Sequence, residues 1–288
     1  MYDPAVLTAT TETRIGNAGM HTTLVFERRV RATVVRRQWL AYDTRFSAAA
    51  SGKPEQVAHV FLLLAGRFVP AVGEPIPGPV AVVLADDEME RVGARSRTFR
   101  TDGERVDVIH MRFDLSELNV PVGLATGPLA LAPSAWQAAA HMLEAPSACF
   151  GALLDAFAAT GITKGSVTIE PEEPDRYRRL WEAIQPLYQT YGGTVSLKQL
   201  ANSLGMSMRQ VGRDAKELAA TFGFGSGYRD ALLALRLRSA ALLLSAPEGT
   251  VAEVATAVGY GSPIAMARAF RDAKLPAPSV VQAALRGE

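Results

Sequence analysis

Three polar residues near the C-terminus have the side chains and the spacing needed to read DNA bases. Arg209, Gln210 and Arg213 follow Ser207 within two helical turns. Arginine can donate two hydrogen bonds to O6 and N7 of guanine, and glutamine can pair with N6 and N7 of adenine. Because the first turns of a recognition helix enter the major groove, residues just after its N-cap face the bases. The pattern favours base or phosphate contact, and a solvated helix face is the alternative.

A second set of residues occupies similar offsets after Ser262. Arg268 can donate to a base, and Arg271 follows one turn after Ala267, where a phosphate contact is expected. Ile264 either touches a thymine methyl group or belongs to the core. We therefore expect the first set to discriminate between sequences and the second to position the protein. The predicted DNA-binding residues are Arg209, Gln210, Arg213, Ser262, Ile264, Arg268 and Arg271.

The elements that would position these residues are two pairs of short helices. Thr250 and Glu253 have the spacing of a capping box, and apolar residues follow at helical intervals. Gly259 allows the chain to leave that helix in the left-handed region, and Ser262 before Pro263 starts the next helix. This pattern is typical of a helix-turn-helix.

The same pattern occurs earlier in the chain. Ser196 and Gln199 repeat the capping box, Gly205 repeats the glycine at the turn, and Ser207 caps the following helix. The segment 228–244 between the two copies is apolar on most sides, which predicts a helix enclosed between two packed units.

Together these residues resemble the DNA-binding domain of the AraC/XylS family of bacterial transcription regulators, over about residues 176–288. The residues that carry the resemblance are Leu200, Ala201, Gly205, Ser207, Arg213, the run ALRLRSAALLL, Val254, Ala255, Val258, Gly259, Tyr260, Arg268, Ala269, Phe270 and Pro278. Two features depart from the family pattern. Ala215 stands where the family usually has an aromatic residue, and the segment 218–227 is longer than usual, which predicts a longer first recognition helix or an unusual loop after it.

The resemblance implies a cytoplasmic regulator that binds double-stranded promoter DNA and activates or represses transcription. It also implies a small-molecule effector on the N-terminal domain, contact with RNA polymerase, and a homodimer. Arg236 and Arg238 match arginines of the family, and within so apolar a helix Arg236 is predicted to be an internal salt-bridge partner.

The N-terminal part contains short β-type runs separated by Gly, Pro and Asp residues, which predicts a small barrel or sandwich. The predicted fold class is α+β. The β-rich domain over 1–163 is, by resemblance, a cupin-like sensor barrel, followed by a linker over 164–174 and an all-α domain over 175–288. Residues 1–23 lack a periodic pattern and predict a loosely held arm.

Two helices are predicted after Pro133 and Pro146. The second has an apolar stripe, formed by Phe150, Leu153, Leu154 and Phe157. This stripe either packs on the barrel or pairs two subunits through residues 146–160.

Charge is divided unevenly along the chain. Residues 175–288 carry a net charge of +5 and residues 1–174 a net charge of −4, which suits phosphate attraction by the C-terminal half alone. The single cysteine, Cys149, excludes an internal disulfide and a cysteine-cluster metal site. The chain contains no long apolar run and no signal pattern, so no membrane segment is predicted.

The alternative function is a metal-dependent cupin-type enzyme fused to a DNA-binding domain. The histidines lack the close spacing of a metal site, so no catalytic residue and no metal ligand is predicted. The four histidines are His21, His59, His110 and His141. A non-specific architectural DNA binder is a third possibility, and the large N-terminal part argues against it.

The effector is the least determined feature of the sequence. Arg91 and Arg95 lie in an arginine-dense stretch and suit an anionic ligand, since guanidinium groups match carboxylate and phosphate oxygens. Carboxylates, sugar phosphates and cyclic dinucleotides are open, with cyclic di-GMP as the first candidate. A surface strand without a ligand is the alternative.

Overall fold

The computed structural model describes twelve segments of the 288-residue chain. These are residues 7–15, 18–26, 30–37, 41–43, 57–69, 74–85, 98–100, 106–119, 129–164, 175–190, 195–222 and 227–286. The described residues up to 119 form mainly β-strands, and those from 129 onward form mainly α-helices. The predicted division into a β-rich N-terminal part and a helical C-terminal part is confirmed.

The described residues of the β-rich part form two antiparallel sheets. The strands are β1 (Leu7–Ile15), β2 (Ala18–Phe26), β3 (Val30–Arg37), β4 (Ala41–Asp43), β5 (Val57–Ala65), β6 (Arg67–Val69), β7 (Ile76–Pro77), β8 (Val80–Ala85), β9 (Thr98–Arg100) and β10 (Val106–Asp114). The six-stranded sheet has the order β1-β2-β3-β10-β5-β8, and the four-stranded sheet has the order β4-β9-β6-β7. A short 3-10 helix, Leu115–Glu117, follows β10.

The N-terminal segment differs from the prediction of a loose arm. Strand β1 pairs with β2 along its whole length, from Leu7 opposite Phe26 to Ile15 opposite Ala18. Thr13 and Ile15 are buried. The prediction was wrong because threonine is β-branched and favours strands even where apolar alternation is weak.

Strands β5, β8 and β10 of the larger sheet have buried side chains on both faces. In β5, Val60 and Leu62 belong to one apolar cluster, whereas Phe61 and Leu63 belong to another. Alternate residues of a strand point to opposite faces, so each cluster covers one face of the sheet. This explains why the run VFLLL is continuously apolar instead of alternating.

One face of the sheet is covered by two helices, α1 (Pro133–Glu144) and α2 (Pro146–Ala159). The apolar stripe of α2 is almost fully buried, and the rings of Phe157 and Phe113 of β10 lie 6.2 Å apart. The stripe therefore packs inside the N-terminal part, in favour of the first of the two predicted alternatives. Because these side chains are already buried in one chain, they offer no free surface to a second subunit.

The rest of the described chain consists of seven helices. They are α3 (Asp175–Thr190), α4 (Leu197–Leu204), α5 (Met208–Phe222), α6 (Tyr228–Leu243), α7 (Val251–Ala257), α8 (Pro263–Asp272) and α9 (Pro278–Arg286). Helix α6 contacts α3, α5, α7 and α9 and therefore lies at the centre. The predicted linker, residues 164–174, lies outside the described residues except for Lys164.

The second face of the sheet shares its apolar cluster with these helices. Phe61, Leu63 and Val82 belong to the same cluster as Trp181 of α3 and Leu243 of α6. Strand β1 contacts α3 and α7, and β4 contacts α6 and α9. We call this contact between the β-rich part and the helical part the seam.

Candidate nucleic-acid interface

The first helix pair, α4 and α5, has both of its predicted N-caps. The backbone N–H of Ser196 donates to Gln199 Oε1 at 2.8 Å, and the N–H of Gln199 donates to Ser196 Oγ at 3.2 Å. Gly205 ends α4 with φ 63°, in the left-handed region, where glycine has no steric penalty. The Ser207 hydroxyl then accepts from the N–H of Gln210 at 3.2 Å. These local bonds determine where α5 begins.

The second pair, α7 and α8, repeats this construction. The N–H of Thr250 donates to Glu253 Oε2 at 2.7 Å, and the N–H of Glu253 donates to Thr250 Oγ1 at 3.1 Å. The bond from the Thr250 backbone lowers the pKa of the Glu253 carboxyl group. Gly259 has φ 78°, and the Ser262 hydroxyl accepts from the N–H of Ala265 at 3.1 Å. Both predicted helix-turn-helix units are therefore formed.

Each pair buries one face and exposes the other. Val211, Ala215 and Leu218 of α5 are buried, as are Met266 and Phe270 of α8. Arg209 and Arg213 of α5 and Arg268 of α8 lie on the exposed sides of their helices. The structure thus leaves the predicted readers accessible, while DNA contact itself stays a prediction for all seven residues.

Among the side chains that the structure describes, two large apolar ones are also exposed on the recognition helices. Ile264 is 75% exposed, which removes the alternative that it belongs to the core. Met208, the first residue of α5, is 51% exposed and was missed by the sequence analysis. Because Met208 and Ile264 each follow an N-cap serine closely, the offset from the cap was the signal that could have found Met208. Such side chains can touch a thymine methyl group.

The side chain of Gln210 is held by two neighbours on its own helix. Its Nε2 donates to Asp214 Oδ1 at 2.8 Å, and its Oε1 accepts from Arg213 Nη2. Asp214 is 1% exposed and was not singled out from the sequence. Arg213, Gln210 and Asp214 therefore form a connected polar set on α5.

Ser262 and Arg271 have simpler surroundings in α8. The hydroxyl of Ser262 is used in capping, so its first role is to begin the helix. Arg271 Nη2 lies 3.6 Å from Asp272 Oδ1, and both side chains are mostly exposed. An exposed pair of this kind contributes little stability. Arg271 can therefore leave Asp272 and contact a phosphate at little energetic cost.

The central helix contributes an internal contact at the second unit. The guanidinium carbon of Arg236 lies 5.8 Å from the centre of the Tyr260 ring, within the range of a cation–π interaction. Burial lowers the pKa of Arg236, an effect partly opposed by Tyr260, and burial also raises the pKa of Tyr260. Arg236 thus has an internal contact with an aromatic ring, and its predicted salt bridge stays a prediction.

Arg238, two residues further along α6, connects the helical part to the sheet. Its Nη2 is in contact with Nδ1 of His110 on β10. The His110 ring stacks on Phe61 of β5, with centroids 4.3 Å apart and planes 3° apart. The side chain of His110 is buried. The seam therefore contains a polar contact within its apolar cluster.

Several predictions concern sites outside this interface. Arg91 and Arg95 lie outside the described residues, so the anionic effector site stays a prediction.

Within the described segments, no group of three or more His, Cys, Asp or Glu residues could hold a metal ion. Cys149 is a free, half-buried thiol. None of the helices in the described segments is long and apolar enough to cross a lipid bilayer.

Comparison with known protein families gives a match within the helical part. A family model described as "Helix-turn-helix domain" matches residues 200–284. No curated protein sequence matches the chain.

Solved structures show a weaker, global similarity. One is ToxT from Vibrio cholerae, at 10% identity and TM-score 0.38 over 88% of this chain and 98% of that chain. A structure of ToxT bound to an unsaturated fatty acid has 11% identity and TM-score 0.37 over 100% of this chain and 98% of that chain. The AraC-like transcriptional activator CuxR has 12% identity and TM-score 0.30 over 81% of this chain and 86% of that chain. At these TM-scores the similarity does not establish a shared fold for the whole chain.

Proposed function

We propose that this chain, whose residues 200–284 form an AraC-type helix-turn-helix domain, is a sequence-specific transcription regulator controlled by a small-molecule effector. Promoter DNA is its macromolecular ligand. The observation that carries the proposal is the pair of capped recognition helices, α5 and α8, each with exposed side chains that can contact bases. The net charge of +5 on residues 175–288 favours approach to phosphates.

The two recognition helices have different chemistry, which suggests different roles. Helix α5 presents Arg209 and Arg213, which can bind guanine in a bidentate manner, and Gln210, which can bind adenine. Helix α8 presents Ile264 as its most exposed large apolar side chain, with Arg268 and Arg271 as its cations. We therefore assign most of the base discrimination to α5 and most of the backbone positioning to α8.

We assign effector sensing to residues 1–163, with residues 164–174 as the linker and residues 175–288 as the DNA-binding domain. The two sheets would serve as a cupin-like sensor. An effector can change DNA binding only if it favours one arrangement of the two domains over another. The seam supports this coupling, because Arg238 of α6 contacts His110 of β10 inside a shared apolar cluster.

The effector is proposed to be an anion bound by Arg91 and Arg95, with cyclic di-GMP as the first compound to test. Calorimetric titration of the full chain with cyclic di-GMP, sugar phosphates and carboxylates would identify it. The Arg91→Ala, Arg95→Ala double variant should then lose that binding. Equal binding by the double variant would show that the arginine site is wrong, without affecting the DNA-binding assignment.

Regulators of this kind act on RNA polymerase and commonly pair as homodimers, and we extend both proposals to this chain. The buried stripe of α2 cannot form the dimer contact while it covers the sheet. A homodimer would therefore use another surface. Sedimentation of the full chain with and without DNA would measure the oligomeric state.

The test of the main proposal is selection of DNA from a library of random duplexes by the full chain. We expect an enriched sequence that binds about 10³-fold or more tightly than random DNA. Arg209→Ala should weaken binding to that sequence by about 1–3 kcal/mol and affect random DNA much less. Arg179→Ala, which removes an exposed arginine from α3, is the matched control. Failure to enrich any sequence would refute the proposal.

A further inference from the structure

We infer that Asp214 is a positioning residue that holds the side-chain amide of Gln210 for adenine and so sets the base preference of the first recognition helix. The inference rests on the proposed DNA-binding function. It assigns to a buried residue, which itself touches no base, a part in the choice of sequence.

The first observation is that Asp214 is a buried acid on an otherwise apolar helix face. It is 1% exposed, and its buried neighbours on the same side of α5 are Val211, Ala215 and Leu218. Taking a carboxylate out of water is costly unless it is hydrogen-bonded, so an apolar residue would be the less costly choice at this position. An acid at this position is therefore expected to accept a hydrogen bond from a group whose orientation depends on it.

The second observation is that Asp214 bonds to Gln210, which is proposed to read a base. Gln210 Nε2 donates to Asp214 Oδ1 at 2.8 Å. A glutamine amide can rotate to exchange its oxygen and nitrogen, which would exchange donor and acceptor at the groove. The carboxylate accepts hydrogen bonds only, so it selects the orientation in which Nε2 is on its side.

The third observation concerns the opposite end of the same amide. Gln210 Oε1 accepts from Arg213 Nη2, so both ends of the amide are occupied by groups of the matching polarity. One N–H of Nε2 and one lone pair of Oε1 are left over. Adenine offers one acceptor, N7, and one donor, N6, and a glutamine oriented in this way matches both.

A Gln–Asp pair four residues apart could instead only stabilise the helix. The two roles predict different results. If the pair only stabilises the helix, substitution of Asp214 lowers the melting temperature and weakens binding to all DNA sequences by a similar factor. If Asp214 positions Gln210, its substitution changes the preference at one base pair and leaves the preferences at other positions unchanged.

The experiment measures base preference at the position that Gln210 reads. Full-length wild type first selects its sequence from a random duplex library, and Gln210→Ala identifies the base pair whose preference depends on Gln210. Duplexes with each of the four base pairs at that position are then titrated with wild type, Asp214→Leu and Asp214→Asn. The leucine replaces the buried carboxylate with an apolar side chain, and the partly exposed Gln210 amide can then donate to water. The asparagine keeps the shape and an Oδ1 acceptor.

We expect Asp214→Leu to reduce discrimination for adenine by about three- to tenfold, the cost of ordering one free side chain on binding. Asp214→Asn should retain most of the discrimination. In the Gln210→Ala background, Asp214→Leu should cause no further change in preference, because the group that it positions is absent.

A spectroscopic measurement supplements the titrations and does not require DNA. The side-chain amide proton of Gln210 that is bonded to Asp214 should exchange more slowly with solvent in wild type than the corresponding proton in Asp214→Leu. Equal exchange rates would overturn the inference, as would a uniform loss of affinity across the four duplexes. Loss of discrimination in Asp214→Asn, or a further change in the Gln210→Ala background, would also overturn it. If wild type enriches a sequence and these results appear, only the inference fails. If wild type enriches none, the proposed function fails with it.

Discussion

Gly249 provides a direct test of the seam, because it lies where the turn before α7 meets strand β1. A Cβ atom placed on Gly249 would lie 2.5 Å from Cγ2 of Ile15 and 3.4 Å from Cβ of Ala246. Ile15 is 3% exposed, so it has little room to move away. The turn is held as well, since the Gly249 carbonyl oxygen accepts from Gln282 Nε2 at 2.9 Å and from Arg286. We expect Gly249→Ala to lower the free energy of unfolding by about 1–3 kcal/mol, the usual cost of overpacking.

The reason for this loss can be isolated by a second substitution. Ile15→Ala removes the atom that the new methyl group would strike, and alone it should cost about 2–5 kcal/mol through the cavity that it leaves. In the double variant the methyl group enters that cavity. We therefore expect the double variant to be more stable, by about 1–3 kcal/mol, than the sum of the single effects predicts.

The measurement is urea denaturation of the full chain for wild type, both single variants and the double variant. Gly261→Ala is the matched control, because Gly261 is exposed and no atom lies within 4 Å of its added Cβ. The control should change the free energy of unfolding by less than about 0.5 kcal/mol. Additive effects of Gly249→Ala and Ile15→Ala would show that β1 does not pack against this turn, and the seam would be wrong.

Three further predictions concern DNA binding and pH. Arg271→Ala should weaken binding to specific and random DNA alike and reduce the slope of log K against log salt by about 0.9; a change confined to the specific sequence would make Arg271 a base reader. Footprinting should show that one subunit protects two segments about 10 bp apart, since α5 and α8 would enter successive major grooves, and a single protected segment would contradict this arrangement. Because the pKa of Glu253 is lowered in the folded state, its carboxylate contributes stability above the ordinary pKa of a glutamate, and this contribution disappears as pH falls through the lowered value. The difference in unfolding free energy between wild type and Glu253→Ala, measured in urea at several pH values, should therefore shrink on acidification, and a constant difference would refute the link to the cap.

The helix-turn-helix units were predictable from sequence because their signals are local. Capping boxes at Ser196 and Thr250 and glycines at positions 205 and 259 act through bonds between residues a few positions apart. The length of the chain after Leu218 predicted a longer first recognition helix or an unusual loop after it. Helix α5 has 15 residues where α8 has 10, and residues 223–226 lie outside the described residues, so the choice between the two stays a prediction. Ser207 and Ser262 mark where the two recognition helices begin, so the residues that follow them could be predicted to face the bases.

Features that depend on distant residues could not be predicted in the same way. Ile264 was ambiguous between core and surface because an apolar residue next to a cap fits both, and only packing of the domain decided it. The stripe of α2 was ambiguous because periodicity identifies a buried face without identifying its partner. Asp214 was missed because a single acid at helical spacing from a glutamine looks like an ordinary surface pair until its burial is known. The contact between His110 and Arg238 joins residues 128 positions apart, and no local pattern relates them.

The shared apolar cluster at the seam has a consequence for how the molecule can be divided. Strand β5 is buried on both faces, in place of the usual alternation of exposed and buried residues. If the parts before and after residues 164–174 were produced as separate fragments, Phe61 and Leu63 would therefore face water. Trp181 and Leu243 belong to the same cluster on the helical side. Each fragment would then present an apolar surface to its own copies, and either fragment would be expected to aggregate at concentrations where the intact chain does not. Heating the intact chain should accordingly melt both parts in one calorimetric transition, since neither retains a complete core without the other.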